Sequence, residues 1–301
     1  MKKSVSMLLA ALMLTVALAG CGSSASTSAS GTQAADGADS GVSGAITVIS
    51  REDGSGTRGA FIELTGVEEK TADGKKVDNT TADAEIANKT DVVLTSVAGN
   101  EKAIGYISLG ALNDTVKAVK VDGAEATVDN VKAGAYKLSR PFNIATKGEP
   151  TGVAKDFISF ILSKEGQAVV TDNKYIAVDD NAAAFTSDGS SGQIAVGGSS
   201  SVSPVMEKLI EAYKAVNPNA SIDLQTSDST SGMTGAMDGT FAIGMASREL
   251  KDEEAAQLTG TAIALDGIAV IVNPANTIDE LSMDQIKSIY IGDITDWGDL
   301  A

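Results

Sequence analysis

A strand that runs into a glycine-bracketed serine and then a helix leaves few folds open. The run Val48-Ile49-Ser50-Arg51-Glu52-Asp53-Gly54-Ser55-Gly56-Thr57-Arg58-Gly59-Ala60-Phe61 reads that way. The apolar residues 46–49 predict a buried strand, Gly54-Ser55-Gly56 a turn, and residues 57–64 a helix. Such a junction aims the unpaired N–H groups of the helix's first turn, with roughly half a positive charge, at whatever occupies the turn. An anion suits that position, and two glycines let it approach the backbone closely. Ser55 and Thr57 add hydroxyl donors, and Arg51 adds a planar guanidinium that can grip an oxyanion through two parallel hydrogen bonds. Asp53 is expected to hold Arg51 in place.

Two other readings stay open at this point. Any Gly-Ser-Gly can be a plain turn, and Gly54-Ser55-Gly56-Thr57-Arg58-Gly59 also fits the G-x-G-x-x-G fingerprint of dinucleotide-binding folds. The dinucleotide reading requires an acidic residue ending a second strand about 20 residues on. Residues 67–81, which occupy that place, are polar and loop-like.

Upstream, Lys2 and Lys3, the apolar residues 7–18 and Leu18-Ala19-Gly20-Cys21 make a secretory signal ending on the chain's single cysteine. This resembles a bacterial lipobox, which implies cleavage after residue 20 and lipid on Cys21, with residues 1–21 as the signal segment. The apolar run is short for a membrane-spanning helix. Residues 22–44 are nearly all Gly, Ser, Ala, Thr and Asp and read as a flexible tether. Residues 45–301 remain for a core, enough for two lobes of ordinary size. The formal charge of −17 excludes nucleic acid as a partner. It leaves a small anion possible, because distant charges are screened beyond about 10 Å while helix ends and one arginine act at contact.

Beyond the first helix, elements alternate as in an α/β protein. Residues 82–88 and 91–97 predict short helices, 103–108 and 116–121 strands, and 137–146, with Arg140-Pro141-Phe142, an extended segment whose proline suits an edge or crossing position. Residues 153–162 and 165–171 have helical spacing. After a polar break at 188–192 the opening architecture repeats: strand 193–196, the turn Gly197-Gly198-Ser199-Ser200-Ser201, and a helix led by Pro204. The strand 221–224 precedes Ser229-Thr230-Ser231-Gly232, and the strand 241–245 leads to Ser247 and Arg248. A single serine cluster is ordinarily a solvated turn or a helix cap. Three in succession at strand ends fit the rule that open α/β sheets bind ligands beyond the carboxyl ends of their strands.

Three motifs carry a family resemblance: Gly198-Ser199-Ser200-Ser201-Val202-Ser203-Pro204, Ile243-Gly244-Met245-Ala246-Ser247-Arg248-Glu249-Leu250, and Ser50-Arg51-Glu52-Asp53-Gly54-Ser55-Gly56-Thr57-Arg58. Together they resemble the PstS phosphate-binding proteins of bacterial ABC phosphate importers, over essentially all of residues 45–301. The resemblance implies a two-lobed α/β periplasmic-binding-protein-like fold of type II, with the ligand cleft between lobes joined by two crossover segments. It implies inorganic phosphate as ligand and no cofactor or metal. The phosphate ligands it implies are Ser200 through its hydroxyl, Ser201 through its backbone N–H, Ser229 at a helix start, and Arg51, Ser55, Gly56 and Thr57. Ser247 completes the implied set, at a position where several family members have an aspartate that accepts the proton of monohydrogen phosphate. A hydroxyl, a backbone carbonyl or Asp53 would then have to take that proton, and phosphate is expected still to be preferred over sulfate.

Order is the other departure. The family begins with the serine turn and reaches the arginine turn midway, whereas here the arginine turn comes first and Trp297-Gly298-Asp299-Leu300-Ala301 comes last. The chain therefore looks circularly permuted, the alternative being a truncated or joined gene fragment. One lobe is expected from residues 45–136 plus 265–301 and the other from 137–264, with 137–146 and 265–273 as crossovers and Ala45 near Ala301. The implied partners are importer permease subunits and, through Cys21, the extracytoplasmic face of the cell membrane. A receptor for sulfate or molybdate and a phosphate sensor use the same residues. A serine hydrolase is disfavoured, since the chain has no histidine to serve as the usual base.

Overall fold

The computed structural model describes residues 42–300. The signal, Cys21 and the tether up to residue 41 lie outside the described residues, as does Ala301. The described chain builds one nine-stranded mixed sheet. Its order is Ala220–Ser227, Gly192–Ser199, Ile243–Ala246, Ser139–Thr146, Thr259–Val272, Ala103–Ser108, Thr47–Arg51, Glu85–Ala87, with Lys117–Ala118 paired beside Thr259–Val272. Two large cores form along it, and a smaller cluster gathers Ala145, Met233, Ala236, Ala246 and Leu258. Phe61, Tyr106, Ile268, Tyr290 and Trp297 belong to the first; Phe142, Phe157, Val196, Leu209 and Ile263 belong to the second. The first is assembled from both ends of the described chain, and the second from its middle.

The lobes are joined where Ser139–Thr146 and Thr259–Val272 run antiparallel to each other, with Arg140 opposite Asp266 and Gly267 opposite Ser139. Beyond Gly267 the longer strand continues into the first lobe and pairs with Ala103–Ser108. Pro141, which lacks an N–H, lies at this crossing, next to the point where pairing passes from one lobe to the other. The polar break after residue 187 lies inside the second lobe, because Asp188 donates its N–H to Asp156 Oδ1 at 2.9 Å and Ser187 Oγ donates to Asp156 Oδ2 at 2.7 Å.

The segment leading into the arginine turn is stitched to the end of the described chain. Ala45 and Asp296 form an antiparallel bridge. Ile46 N–H donates to the Thr295 carbonyl at 2.8 Å, and Trp297 N–H donates to the Gly44 carbonyl at 3.1 Å. The two chain regions thus meet on one lobe.

Local pattern misleads in three places. Residues 82–88 are not helical: Glu85–Ala87 pairs parallel with Thr47–Arg51, Ser50 opposite Ile86. A backbone partner on the sheet edge outweighs the weak helix propensity of three residues. Residues 116–121 split into Lys117–Ala118 and Lys120–Val121, the second pairing with Glu280–Leu281. The polar stretch after the first helix is an exposed hairpin, Glu68–Lys70 against Lys76–Asp78.

A buried carboxylate organises the second core. Asp156 accepts from Tyr213 OH at 2.7 Å and Asn217 Nδ2 at 3.2 Å, besides Ser187 and Asp188. Burial opposes ionisation, but these donors together outweigh it and hold the carboxyl below its ordinary value of 3.8. A carboxylate whose folded pKa is depressed stabilises the fold above its unfolded pKa, and that contribution is lost as pH falls through the folded one. Asp156→Asn is therefore expected to cost about 1–3 kcal/mol near neutral pH and to flatten the acid limb of a melting-temperature profile below pH 3.8. Parallel acid limbs for both proteins would refute this role.

Candidate oxyanion site between the lobes

The strand Thr47–Arg51 lies between two parallel neighbours and ends on Arg51, which is 2% exposed. Aromatic packing fixes this end: Phe61 of the following helix stacks on Tyr106 at 3.9 Å between ring centroids. The Tyr106 hydroxyl meets Ser50 Oγ at 2.9 Å and accepts the Arg51 N–H at 3.2 Å. The Arg51 side chain is thereby aimed outward from the sheet's carboxyl edge, into the space between the lobes.

The guanidinium is held by Glu52, not by Asp53. Arg51 Nε and Nη2 donate to the two Glu52 carboxylate oxygens, both at 2.8 Å. Asp53, expected to do this, is 97% exposed and pairs with Arg58 Nη1 at 3.0 Å. Glu52 continues the strand, its N–H donating to the Ala87 carbonyl at 3.2 Å, and its longer side chain can turn back to chelate the fork. Asp53 already sits in the outward turn and is no longer available as a cleft acceptor. Arg58 instead braces the turn, donating to the Arg51 carbonyl at 2.7 Å while pairing with Asp78 at 2.8 Å.

Ser55 caps the helix Gly56–Thr65, its hydroxyl accepting from Arg58 N–H at 3.3 Å. The N–H groups of Gly56 and Thr57 belong to the first turn, which has no carbonyl four residues earlier to accept them. The two glycines matter for what faces them. A side chain at Gly54 would strike the Asp228 carboxylate, and one at Gly56 would strike Ser229 Oγ and Ser247 Oγ. Both opposing surfaces belong to the second lobe, so the glycines allow the lobes to touch. The Gly54 carbonyl in fact accepts from Thr230 N–H across the interface at 3.1 Å.

From the second lobe come the serines. The strand Gly192–Ser199 ends at Ser199-Ser200-Ser201, just before the helix Ser203–Val216 with proline in its first turn. Ser200 Oγ accepts from Arg51 Nη2 at 3.1 Å. Ser201 places its hydroxyl 2.8 Å from Thr57 Oγ1, while its N–H is directed to Ser199 Oγ at 3.3 Å. Ser229 opens the helix Ser229–Asp238 behind the capping residue Asp228, and its hydroxyl accepts from Ser247 N–H at 3.1 Å. Ser247 Oγ lies 3.3 Å from Thr57 Oγ1. Arg51, Gly56, Thr57, Ser200, Ser201, Ser229 and Ser247 thus meet at one interface, with the Ser55 hydroxyl turned to its own helix between two glycines that approach the second lobe, and the hydroxyls of Thr57, Ser200, Ser201, Ser229 and Ser247 share one buried network.

Three members of that network were not singled out from sequence. Thr90, first residue of the helix Thr90–Ala98, lies 3.5 Å from Arg51 Nη1 and 3.3 Å from Ser201 Oγ. Ser199 Oγ donates to Ser247 Oγ at 3.0 Å. Arg140, 3% exposed at the crossing of the lobes, donates to Thr57 Oγ1 at 3.1 Å, to the Ser247 carbonyl at 3.2 Å and to Asp266 and the Gly267 carbonyl. Burial pushes the Asp266 carboxyl up against the pull of Arg140, and pushes the guanidinium down against the pull of Asp266. An arginine inside an apolar strand, with an aspartate inside another, was the available signal. A groove of ≈ 640 Å³ beside the crossing, lined by Ala60, Leu64, Pro141, Arg248 and Leu250 among others, flanks this network without including its serines.

The family profile described as the PBP superfamily domain matches residues 24–165 and 183–301. The phosphate-binding protein PstS 2 of Streptococcus agalactiae serotype V is 51% identical over 286 residues, covering 94% of this chain and 93% of that protein. PstS 2 of Streptococcus pneumoniae serotype 4 is 51% identical over 255 residues, 85% of this chain and 87% of that one. The crystal structure of a phosphate ABC transporter phosphate-binding protein from Streptococcus pneumoniae TIGR4 matches with a TM-score of 0.69 at 50% identity, covering 86% of this chain and all of the other. The Streptococcus agalactiae alignment runs nearly the length of both chains.

Proposed function

We propose that this chain, which belongs to the PstS-like phosphate-binding proteins of the PBP superfamily, captures inorganic phosphate between its lobes and delivers it to an ABC importer. One observation carries the reading to these residues: a buried arginine of one lobe reaches a serine hydroxyl of the other, Arg51 Nη2 to Ser200 Oγ at 3.1 Å. Around that contact, the helices starting at Gly56, Thr90, Ser203 and Ser229 all begin at the interface. A tetrahedral oxyanion has four oxygens to share among such donors, and helix N-termini add partial positive charge without mobile counter-ions.

In this reading Arg51 is the main charged ligand. Gly56 and Thr57 contribute first-turn N–H groups, and Ser55, Thr57, Ser200, Ser201, Ser229 and Ser247 contribute hydroxyls. Arg140 and Thr90 hold those hydroxyls in place. No bond is made or broken: the hydroxyls are bonded to guanidinium groups, to backbone N–H groups and to each other, an arrangement that lowers rather than raises their basicity. No cofactor is required. The lipobox supports attachment through Cys21 on the extracytoplasmic face, where permease subunits would be reached. A role as phosphate sensor would use the same cleft and differ only in the partner.

A ligand held only by the folded state stabilises it by RT ln(1 + [L]/Kd), about 2.7 kcal/mol at 100 times Kd. Ligand-stripped protein is expected to melt at progressively higher temperature as phosphate is added. Absence of any shift at millimolar phosphate would overturn the proposal, and turnover of a phosphate ester would move the chain to the enzymes.

A further inference from the structure

Arg51 meets the cleft with one edge of its guanidinium. Nε and Nη2 are closed on Glu52 at 2.8 Å, and the Nη1/Nη2 edge faces Thr90 and Ser200 at 3.5 and 3.1 Å. A planar fork that rotates in its seat offers an oxyanion the wrong edge, so the backbone that carries it has to be held. The strand ladder does that incompletely. Ala103–Ser108 pairs with this strand at Thr47 and Val48, and residues 49–51 pair with the three-residue edge strand Glu85–Ala87. Where pairing thins out, side chains take over: the Tyr106 hydroxyl accepts the Arg51 N–H at 3.2 Å, and Arg58 Nη1 donates to the Arg51 carbonyl at 2.7 Å.

Arg58 is itself held from outside the cleft. It is the third residue of the helix Gly56–Thr65, where a cation opposes the helix dipole, so helix stability does not account for it. Its Nε and Nη2 both donate to Asp78 Oδ2, at 2.9 and 2.8 Å. The other oxygen, Asp78 Oδ1, accepts from Thr80 N–H at 2.8 Å and from Thr80 Oγ1 at 2.6 Å. Partial burial pushes the Asp78 carboxyl up, but Thr80 and Arg58 outweigh it and hold the group below its ordinary value of 3.8. Asp78 ends the hairpin Glu68–Lys70 against Lys76–Asp78, which is stitched by Lys76 to Glu68 at 2.8 Å and, through Glu69, to Lys287 at 2.7 Å. Asp53, the remaining group on Arg58, is 97% exposed, and a pair of that kind adds little.

Resting on the phosphate-receptor reading, we propose that Arg58 is a positioning residue for the oxyanion: anchored on Asp78 of the outer hairpin, it holds the Arg51 carbonyl and so aims the Nη1/Nη2 edge of Arg51 into the cleft. Its own fork is spent on Arg51, Asp53 and Asp78. Two rival roles make different predictions. A second positive charge acting through space depends on the net charge near the cleft, and a brace for the fold alone leaves the affinity of folded molecules untouched. The clamp depends on the fork, because one group has to reach the Arg51 carbonyl and Asp78 at once.

The test is calorimetric titration of the ligand-stripped full chain with inorganic phosphate, comparing the parent with Arg58→Met, Arg58→Lys and Asp78→Asn. Arg58→Met is expected to weaken phosphate binding about tenfold, the equivalent of one hydrogen bond made by a charged group. Asp78→Asn removes a negative charge, which through space alone would tighten anion binding. The clamp predicts the opposite sign, a loss of about three- to fivefold. Arg58→Lys keeps the charge but not the fork, and is expected to fall between the parent and Arg58→Met. Asp78→Asn binding as tightly as the parent or tighter, or Arg58→Lys matching the parent, overturns the proposal while leaving the receptor reading intact. A lowered melting temperature of ligand-free Arg58→Met with unchanged phosphate affinity would reduce Arg58 to a brace and overturn it too. Failure of the parent to bind phosphate overturns the receptor reading itself.

Discussion

Arg51→Ala is expected to reduce phosphate affinity by roughly 30- to 4,000-fold, the equivalent of about 2–5 kcal/mol for truncating one member of a buried charged pair. Among the eight candidate ligands named above, Arg51 brings a full charge and a fork to the lobe interface, and it touches residues of both lobes. Its loss removes the contact to Ser200 and leaves Glu52 without its partner. Ser200→Ala deletes one neutral hydroxyl and should cost nearer 1 kcal/mol, about fivefold. Calorimetric titration of the two variants orders them. If Ser200→Ala weakened binding while Arg51→Ala left it unchanged, the charges assigned to this cleft would be wrong.

Asp266→Ala is expected to cost about 3–5 kcal/mol of folding stability, because it strands the Arg140 guanidinium in the joint between the lobes without a counter-charge. The two residues face each other across the paired crossing strands, so the damage falls where the chain passes from one core to the other. Exchanging both for apolar residues of similar volume, Arg140→Met with Asp266→Leu, should restore much of that stability, since desolvating a buried pair is itself costly. Urea denaturation distinguishes these outcomes. A mild effect of Asp266→Ala, within about 0.5 kcal/mol as at an ordinary surface site, would mean that the pair carries no structural load.

Elements set by neighbours in sequence were legible before any fold was considered. The strand, glycine turn and helix around Gly54 were readable because capping, turn geometry and apolar spacing act over a few residues. The serine turns were readable for the same reason, and their number at strand ends pointed to a cleft. Residues 82–88 misled because the parallel edge pairing with Thr47–Arg51 leaves no trace in a three-residue segment. Asp53 and Glu52 were interchanged because choosing between two adjacent carboxylates requires knowing where the strand stops and the turn swings outward. Arg140 and Asp266 carry a visible oddity, charges in apolar strands, but their pairing spans 126 positions.

By itself the sequence determined the local machinery: helix starts rich in hydroxyls, an arginine at a strand end, and glycines where a side chain would block close approach. Those features follow from short-range sterics and from unpaired backbone groups, which are properties of the chain wherever it lies. Only the tertiary structure decided which machinery meets. Long-range strand pairing carries the Arg51 turn to the Ser200 turn and sets the Arg140–Asp266 pair at the joint. Which donor meets which acceptor there depends on groups brought in from distant segments, and no pattern of neighbouring residues encodes it.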